Sequence, residues 1–204
     1  MNIVFVHGWG SGEFVWKDIL PNFEEDYHCT CLNLGFLGEE NLILPEGKFI
    51  GIGHSLGGLW LLKHHPEKML GFISIASFNC FYKYIPEQII TSMQRNIVKD
   101  TTNQITEFWH HAGLDQSGGF KNLRPTKLLE GLGWLSKWQA DIPENLPTKV
   151  LASRDDKIVP ARMSQKNWKN HDIEWIDEGG HMLPLTQSEW CTQHIKSFIN
   201  DLTK

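Results

Sequence analysis

The chain has 204 residues, of which 41% are hydrophobic and 21% charged, and its formal net charge is −5. This length and composition are typical of one globular domain with a hydrophobic core. The acidic balance disfavours a nucleic-acid-binding protein, which usually has a basic face. The four cysteines match neither a zinc pattern nor a disulfide framework. Because no apolar run predicts a membrane span and no signal peptide is recognisable, we expect a cytoplasmic protein. We also expect it to be a monomer.

Short apolar segments alternate with helical patterns along most of the chain. The predicted strands are Ile3–Val6, His28–Leu32, Phe49–Ile52, Gly71–Ala76, Lys149–Ala152 and Ile173–Ile176. The helices predicted between and after them are Trp16–Phe23, Leu56–His65, Ala161–Lys169 and Ser188–Leu202. Strands that alternate with helices indicate an α/β fold with a mostly parallel sheet. We therefore expect residues 1–204 to form a single α/β domain.

The interval from about residue 78 to about residue 147 breaks this alternation. It contains no convincing strand, and its helical patterns cover Pro86–His111 and Pro125–Gln139. A glycine-rich break at residues 113–119 separates the two patterns. A long helical insertion between two sheet strands is the usual form of a lid over a binding site. An extra helical layer would look similar in the sequence.

One serine lies among glycines directly after the third predicted strand, in Gly53-His54-Ser55-Leu56-Gly57. A strand, a G-x-S-x-G turn and a helix are typical of a nucleophile elbow, in which a strained turn exposes the serine. Glycines would flank it because side chains would clash there. The Leu56 N–H and the helix N-terminus would then face a developing oxyanion. The alternative is a simple turn with a solvated serine.

Two further motifs provide the groups that a serine nucleophile needs. The loop His7-Gly8-Trp9-Gly10 follows the first strand and would supply the Trp9 N–H as a second oxyanion donor. An acid and a histidine follow Ser55 in the chain order expected for such hydrolases. His181 would act as the general base, and a carboxylate would hold its imidazole in the correct tautomer. The D-x-x-V-P spacing selects Asp156, whereas Asp155 is expected to cap a loop or lie at the surface.

These motifs resemble the α/β-hydrolase superfamily and, more closely, the pimeloyl-acyl-carrier-protein methyl ester esterases of biotin synthesis. The closer likeness includes Val15-Trp16, Ile85-Pro86-Glu87 and Leu128–Leu132. It implies an α/β-hydrolase fold with a helical lid. This chain departs from the family pattern, because we expect the usual first two strands to be absent from its sheet. The likeness also implies hydrolysis of a methyl ester on the pimeloyl chain of an acyl carrier protein, through an acyl-enzyme on Ser55. No metal or organic cofactor is needed for this chemistry.

The resemblance also implies where substrate and carrier would bind. The acyl chain would lie against aromatic side chains near the lid: Trp9, Phe78, Phe81 and Phe108. Carrier proteins are acidic, so the carrier would contact basic lid residues. The candidates are Arg95, Lys99, Arg124 and Lys127. Core packing of the rings and an ordinary solvated face for the cations are the alternatives.

Two other functions are compatible with the same motifs. One is a generic small-acyl carboxylesterase or thioesterase with the same catalytic residues. The other is a non-catalytic, ligand-binding protein of hydrolase fold, which labelling of Ser55 by a fluorophosphonate would distinguish from an enzyme. We expect no metal site at His64-His65 or His110-His111, because adjacent helical residues point to different faces.

Overall fold

The computed structural model describes residues 1–114 and 122–203, so most of the glycine-rich break lies outside the described residues. The described strands are β1 (Asn2–Val6), β2 (His28–Leu32), β3 (Phe49–His54), β4 (Met69–Ile75), β5 (Thr148–Ser153) and β6 (Ile173–Ile176). They form one sheet in the order β2-β1-β3-β4-β5-β6, and every neighbouring pair is parallel. The predicted fold class is confirmed, and all six predicted strands are present.

Seven α-helices accompany the sheet in the described part of the chain. They are α1 (Leu56–His64), α2 (Glu87–Lys99), α3 (Thr101–His111), α4 (Pro125–Lys137), α5 (Ala161–Asn167), α6 (Leu183–Thr186) and α7 (Ser188–Leu202). The helices predicted outside the lid all appear with shifts of at most two residues at their ends, except the first one.

Two helix predictions are wrong in ways that have a local physical cause. The predicted helix Trp16–Phe23 is replaced by two 3₁₀ turns, at Glu13–Trp16 and Leu20–Asn22. Pro21 has no N–H to donate, which disfavours a continuous α-helix through this segment. The single helix predicted over Pro86–His111 is divided at Asp100, whose backbone is extended and whose side chain accepts from the Asn103 N–H. Asp100 thus ends α2 and caps α3.

Alternate residues of the central strands enter hydrophobic cores on opposite faces of the sheet. Ile3 and Phe5 of β1 pack in the core that includes Ile195 of α7. Val4 and Val6 pack in the other core, which includes α1 and the helices that follow β4. This period of two is the geometry of a strand that is buried on both faces. All strands are parallel, so their carboxyl ends meet at one edge.

The described residues between β4 and β5 form a helical insertion, and hydrogen bonds hold it over this carboxyl edge. The Trp9 Nε1–H donates to the Leu128 carbonyl oxygen at 2.8 Å. The Trp109 Nε1–H of α3 donates to the Gly10 carbonyl oxygen, also at 2.8 Å. Both bonds join the insertion to the loop after β1. Within the described ranges, no helix has the length and apolar character needed to cross a membrane.

Candidate active site

Ser55 lies at the junction of β3 and α1 in a backbone conformation that non-glycine residues rarely adopt. Its φ is 52° and its ψ is −124°. Such a conformation costs about 1–3 kcal/mol and persists only where neighbours hold it. Here the Ser55 N–H donates to the Ile75 carbonyl at 3.0 Å, and the Ser77 hydroxyl donates to the Ser55 carbonyl at 2.5 Å. The end of β4 therefore holds the strained serine in place.

The glycines around Ser55 allow α1 to approach the sheet at backbone distance. A Cβ atom at Gly53 would overlap the backbone of Gly58. A Cβ atom at Gly57 would overlap the Val6 carbonyl oxygen at the end of β1. Any larger residue would push the helix away from the strands. The prediction that side chains would clash at these positions is confirmed.

The structure brings Ser55, His181 and Asp156 together from three separate loops. His181 Nε2 lies 2.9 Å from Ser55 Oγ, and His181 Nδ1 lies 2.8 Å from Asp156 Oδ2. All three side chains are buried. The carboxylate accepts the Nδ1–H, which leaves Nε2 free to take a proton from the hydroxyl. This arrangement can activate the serine as a nucleophile.

The backbone of the loop after β5 fixes the Asp156 carboxylate. Its Oδ1 accepts hydrogen bonds from the Ile158 and Val159 N–H groups, both at 2.8 Å. Its other oxygen remains for His181. A carboxylate that is held on both oxygens can orient the imidazole with little loss of side-chain freedom.

Asp155 has a different position from Asp156, although the two residues are adjacent. It accepts the Gly180 N–H at 2.8 Å and the Ser153 hydroxyl. Burial alone would raise its pKa, but these hydrogen bonds hold the pKa of the Asp155 carboxyl below its ordinary value. Asp155 therefore fastens the loop that carries His181, a positioning role that is more specific than the predicted cap or surface residue.

The loop after β1 passes directly beside Ser55. A Cβ atom at Gly8 would lie only 2.8 Å from Ser55 Cβ, so this loop needs a glycine. The next residue is Trp9, and Leu56 directly follows Ser55. Neither the Trp9 nor the Leu56 backbone N–H donates to an acceptor among the described residues. Two free donors beside a nucleophile can stabilise an oxyanion.

Two further buried histidines form hydrogen bonds to the loops that carry the site. The His54 Nε2–H donates to the His181 carbonyl at 2.9 Å, and the His7 Nδ1–H donates to the Gly8 carbonyl at 2.9 Å. Burial lowers the pKa of His7 to about 4 and that of His54 to about 3. Both imidazoles are therefore neutral at pH 7 and hold the two loops by hydrogen bonds. The His54 ring also packs against the His181 ring, with the ring centroids 5.1 Å apart.

An apolar cavity opens from Ser55 between the carboxyl edge and the helical insertion. Its empty volume is about 610 Å³, including the part open to solvent. All four aromatic residues predicted for the acyl chain line it: Trp9, Phe78, Phe81 and Phe108. The ring centroids of Trp9 and Phe108 are 4.9 Å apart, and so are those of Phe78 and Phe81.

Sequence reasoning did not identify the aliphatic half of this cavity. The additional apolar lining residues are Ile85, Ile89, Ile90, Met93, Leu132, Leu135 and Ile158. Ile89 and Met93 are four residues apart on α2, a spacing that marks one face of a helix. This spacing is the feature of the sequence that indicates an apolar helix face lining the cavity. Lys157 also lines the cavity and is the one cation among its described lining residues.

The predicted carrier contacts do not line the cavity. Arg95 and Lys99 are exposed near the end of α2. The Arg124 guanidinium donates weakly to the Gly38 carbonyl at 3.4 Å. Lys127 forms ion pairs with Glu40 at 2.6 Å and with Glu130 at 3.1 Å, so its charge is already neutralised. Across residues 1–114 and 122–203, no cluster of three metal-ligating side chains could hold a metal ion.

Comparison with solved structures decides the fold. An esterase from Exiguobacterium antarcticum superimposes with a TM-score of 0.82 at 14% identity, covering 98% of this chain and 92% of that one. A thermophilic esterase from Thermogutta terrifontis gives a TM-score of 0.80 at 16% identity, covering 100% and 91%. The chain has an α/β-hydrolase fold. In an α/β hydrolase, a nucleophile elbow and its partners lie at the carboxyl edge of the sheet, where Ser55, Asp156 and His181 lie here.

Comparison with curated sequences gives relatives that match nearly the whole length of this chain. A protein of Legionella pneumophila (strain Corby), named pimeloyl-[acyl-carrier protein] methyl ester esterase, is 26% identical over 230 residues, covering 98% of this chain and 95% of its own. No family model matches the chain. The resemblance inferred from the motifs is confirmed, and the comparisons support a carboxylic ester hydrolase.

Proposed function

We propose that the protein hydrolyses the methyl ester of pimeloyl-acyl carrier protein in biotin synthesis. The observation that carries this proposal is the hydrogen-bonded set of Ser55, His181 and Asp156 at the mouth of an apolar cavity. The cavity suits a chain of methylene groups, because its lining is almost entirely apolar. The name of the Legionella relative supports the choice of ester and carrier.

Acylation begins with attack of Ser55 Oγ on the ester carbonyl carbon. His181 Nε2 takes the hydroxyl proton, and Asp156 stabilises the imidazolium that forms. The carbonyl oxygen becomes an oxyanion that accepts the Trp9 and Leu56 N–H groups. Each such donor stabilises a transition state by about 3 kcal/mol.

Collapse of the tetrahedral intermediate breaks the bond to the methoxy group. The imidazolium of His181 gives its proton to this leaving group, so methanol departs and the pimeloyl chain remains esterified to Ser55. Water then attacks the acyl-enzyme while His181 takes its proton. The returning proton restores the serine hydroxyl and releases the free carboxyl group. The reaction consumes one water and needs no oxidant, metal or organic cofactor.

The helical insertion, residues 78–147, acts in this proposal as a lid that encloses the acyl chain. Its side chains supply most of the cavity wall, including Phe78, Phe81 and Phe108. Excluding water would also strengthen the electrostatic interactions at Ser55. The insertion therefore serves substrate selection, whereas the loops at the sheet edge serve the chemistry.

A generic small-acyl carboxylesterase or thioesterase is the second candidate. It is favoured by the positions of the predicted carrier contacts, since Arg95, Lys99, Arg124 and Lys127 do not line the cavity and Lys127 is neutralised by acids. An enzyme of this kind would cleave short esters without any need for a carrier protein.

The experiment that tests the proposal measures methanol release from pimeloyl-acyl carrier protein methyl ester, with a short nitrophenyl ester in parallel. We expect rapid cleavage of both, and a loss on the order of 10⁶ in turnover in Ser55→Ala. Ser136→Ala, on α4 and outside the site, is the matched control. Cleavage of the short ester alone would favour the generic esterase. Cleavage of neither ester would favour a non-catalytic binding protein.

A further inference from the structure

A second groove adjoins the acyl cavity, and its charged side chains are all basic. Its lining residues are Lys83, Tyr84, Ile85, Pro160, Arg162, Met163 and Lys166. We call the surface formed by Lys83, Arg162 and Lys166 the basic groove. No acidic side chain is among its described lining residues. The groove combines residues from the start of the helical insertion with residues from α5.

The basic groove lies next to the cavity that holds Ser55. Ile85 lines both of them. Lys157, close in sequence to α5, lines the acyl cavity itself. A substrate chain that left the cavity past Ile85 would therefore reach a positively charged surface.

The cations of the basic groove have no acidic partners within the described residues. Lys83 Nζ donates to the neutral Gln139 side chain at 2.6 Å. Neither Arg162 nor Lys166 forms an ion pair with a described residue, and both are exposed. Lys127 and Lys149, by contrast, are each paired with glutamates. The chain has a net charge of −5, whereas the charged side chains that line this groove are all positive.

We propose that the basic groove docks the acidic surface of the carrier protein, with the phosphate of its acyl-bearing arm next to Arg162. This inference rests on the proposed function. An acyl chain with its methyl ester at Ser55 must emerge toward the carrier, and the groove adjoins the acyl cavity. Arginine binds phosphate in a two-pronged geometry, and clustered cations accelerate the encounter with an acidic partner. The groove thus replaces Arg95 and Lys99 as the docking surface.

The test uses three variants with matched changes of charge. Arg162→Gln/Lys166→Gln removes two cations from one face of α5. Arg95→Gln/Lys99→Gln removes two from the surface that the sequence predicted. Lys48→Gln/Lys68→Gln removes two exposed cations that precede β3 and β4, at the opposite edge of the sheet. The readouts are KM and kcat for the carrier-bound methyl ester at several salt concentrations, and hydrolysis of a short nitrophenyl ester.

We expect the α5 variant to raise KM for the carrier-bound ester about tenfold and to weaken its salt dependence. The other two variants should change KM less than about twofold, and the short ester should be cleaved by the α5 variant at the wild-type rate. An α5 variant with unchanged KM, or a loss confined to the Arg95→Gln/Lys99→Gln variant, would overturn the docking proposal alone. A wild-type protein that cannot cleave the carrier-bound ester would overturn the proposed function as well.

Discussion

The carboxyl edge of the sheet and the helical insertion meet at Ser55, but they are built by different physical means. At the edge, buried polar groups are fixed by short hydrogen bonds, as in the contacts of His181 with Ser55 and Asp156. In the insertion, the cavity wall consists of apolar side chains that pack by shape, such as Ile89 and Leu132.

Because of this difference, the two regions should differ in how well they tolerate substitution. A hydrogen bond at the edge depends on a donor–acceptor distance of about 3 Å, so replacing one partner breaks that bond. A packed apolar wall can exchange one side chain for another of similar volume at modest cost. We therefore expect loss of a catalytic group at the edge to abolish catalysis, and changes in the insertion to alter substrate preference.

The adjacent acids Asp155 and Asp156 provide a comparison within the edge itself. Asp156→Asn should lower kcat on the order of 10⁴-fold, because an amide no longer selects the required tautomer of His181. Asp155→Asn should lower kcat about tenfold or less, because it loosens the loop around Gly180 without touching the imidazole. Steady-state kinetics on a short ester measures both. Equal losses in the two variants would contradict the assignment of Asp156.

The pH dependence of stability tests the two neutral histidines at the edge. The folded pKa values of His7, about 4, and His54, about 3, lie below the ordinary value of 6.5. The unfolded chain therefore binds more protons as the pH falls below 6.5, and stability decreases until the folded pKa is reached. At pH 5, each histidine should lower the free energy of unfolding by about 2 kcal/mol relative to pH 7.5, or about 30-fold in the equilibrium constant.

Urea unfolding at several pH values measures this decrease. His54→Asn removes one of the two titrating groups, so its free energy of unfolding should fall less steeply between pH 6.5 and pH 5 than that of the wild type. The slope is the informative quantity, since the substitution also removes the hydrogen bond to the His181 carbonyl. A variant with the wild-type slope would show that His54 does not titrate on unfolding as described.

In the insertion, a smaller effect should separate long from short substrates. Ile89 lines the cavity and is 48% exposed, so Ile89→Asn should leave the fold intact. It should raise KM for esters of long acyl chains by about tenfold, because contacts with the methylene groups are lost. Val98→Asn, on the same helix and 75% exposed, is the matched control. Equal effects of Ile89→Asn on long-chain esters and acetyl esters would contradict a role in chain recognition.

The sequence predicted the edge better than the insertion, for physical reasons. Strands of a parallel sheet are buried runs, and the elbow needs glycine where no Cβ fits, so both leave strong local signals. The aliphatic cavity wall left a weaker signal, the spacing of Ile89 and Met93 on α2. The break at Asp100 depends on one capping hydrogen bond.

The features that the sequence did not reveal depend on contacts between distant parts of the chain. Asp155 fastens the Gly180 loop across an intervening strand and helix. The basic groove joins Lys83 to Arg162 and Lys166, about eighty residues further along. Neither arrangement repeats with a period of a helix or strand, so neither could be read from a local pattern.

The catalytic role of Ser55 is tested most directly by mass-spectrometric mapping of a fluorophosphonate label on the wild-type protein, Asp156→Asn and Ile89→Asn. We expect a single label on Ser55 in the wild type, much slower labelling of Ser55 in Asp156→Asn, and labelling at nearly the wild-type rate in Ile89→Asn. These results would place nucleophile activation at the sheet edge rather than in the insertion. An unlabelled Ser55, or a label on another residue, would contradict the catalytic role given to this site.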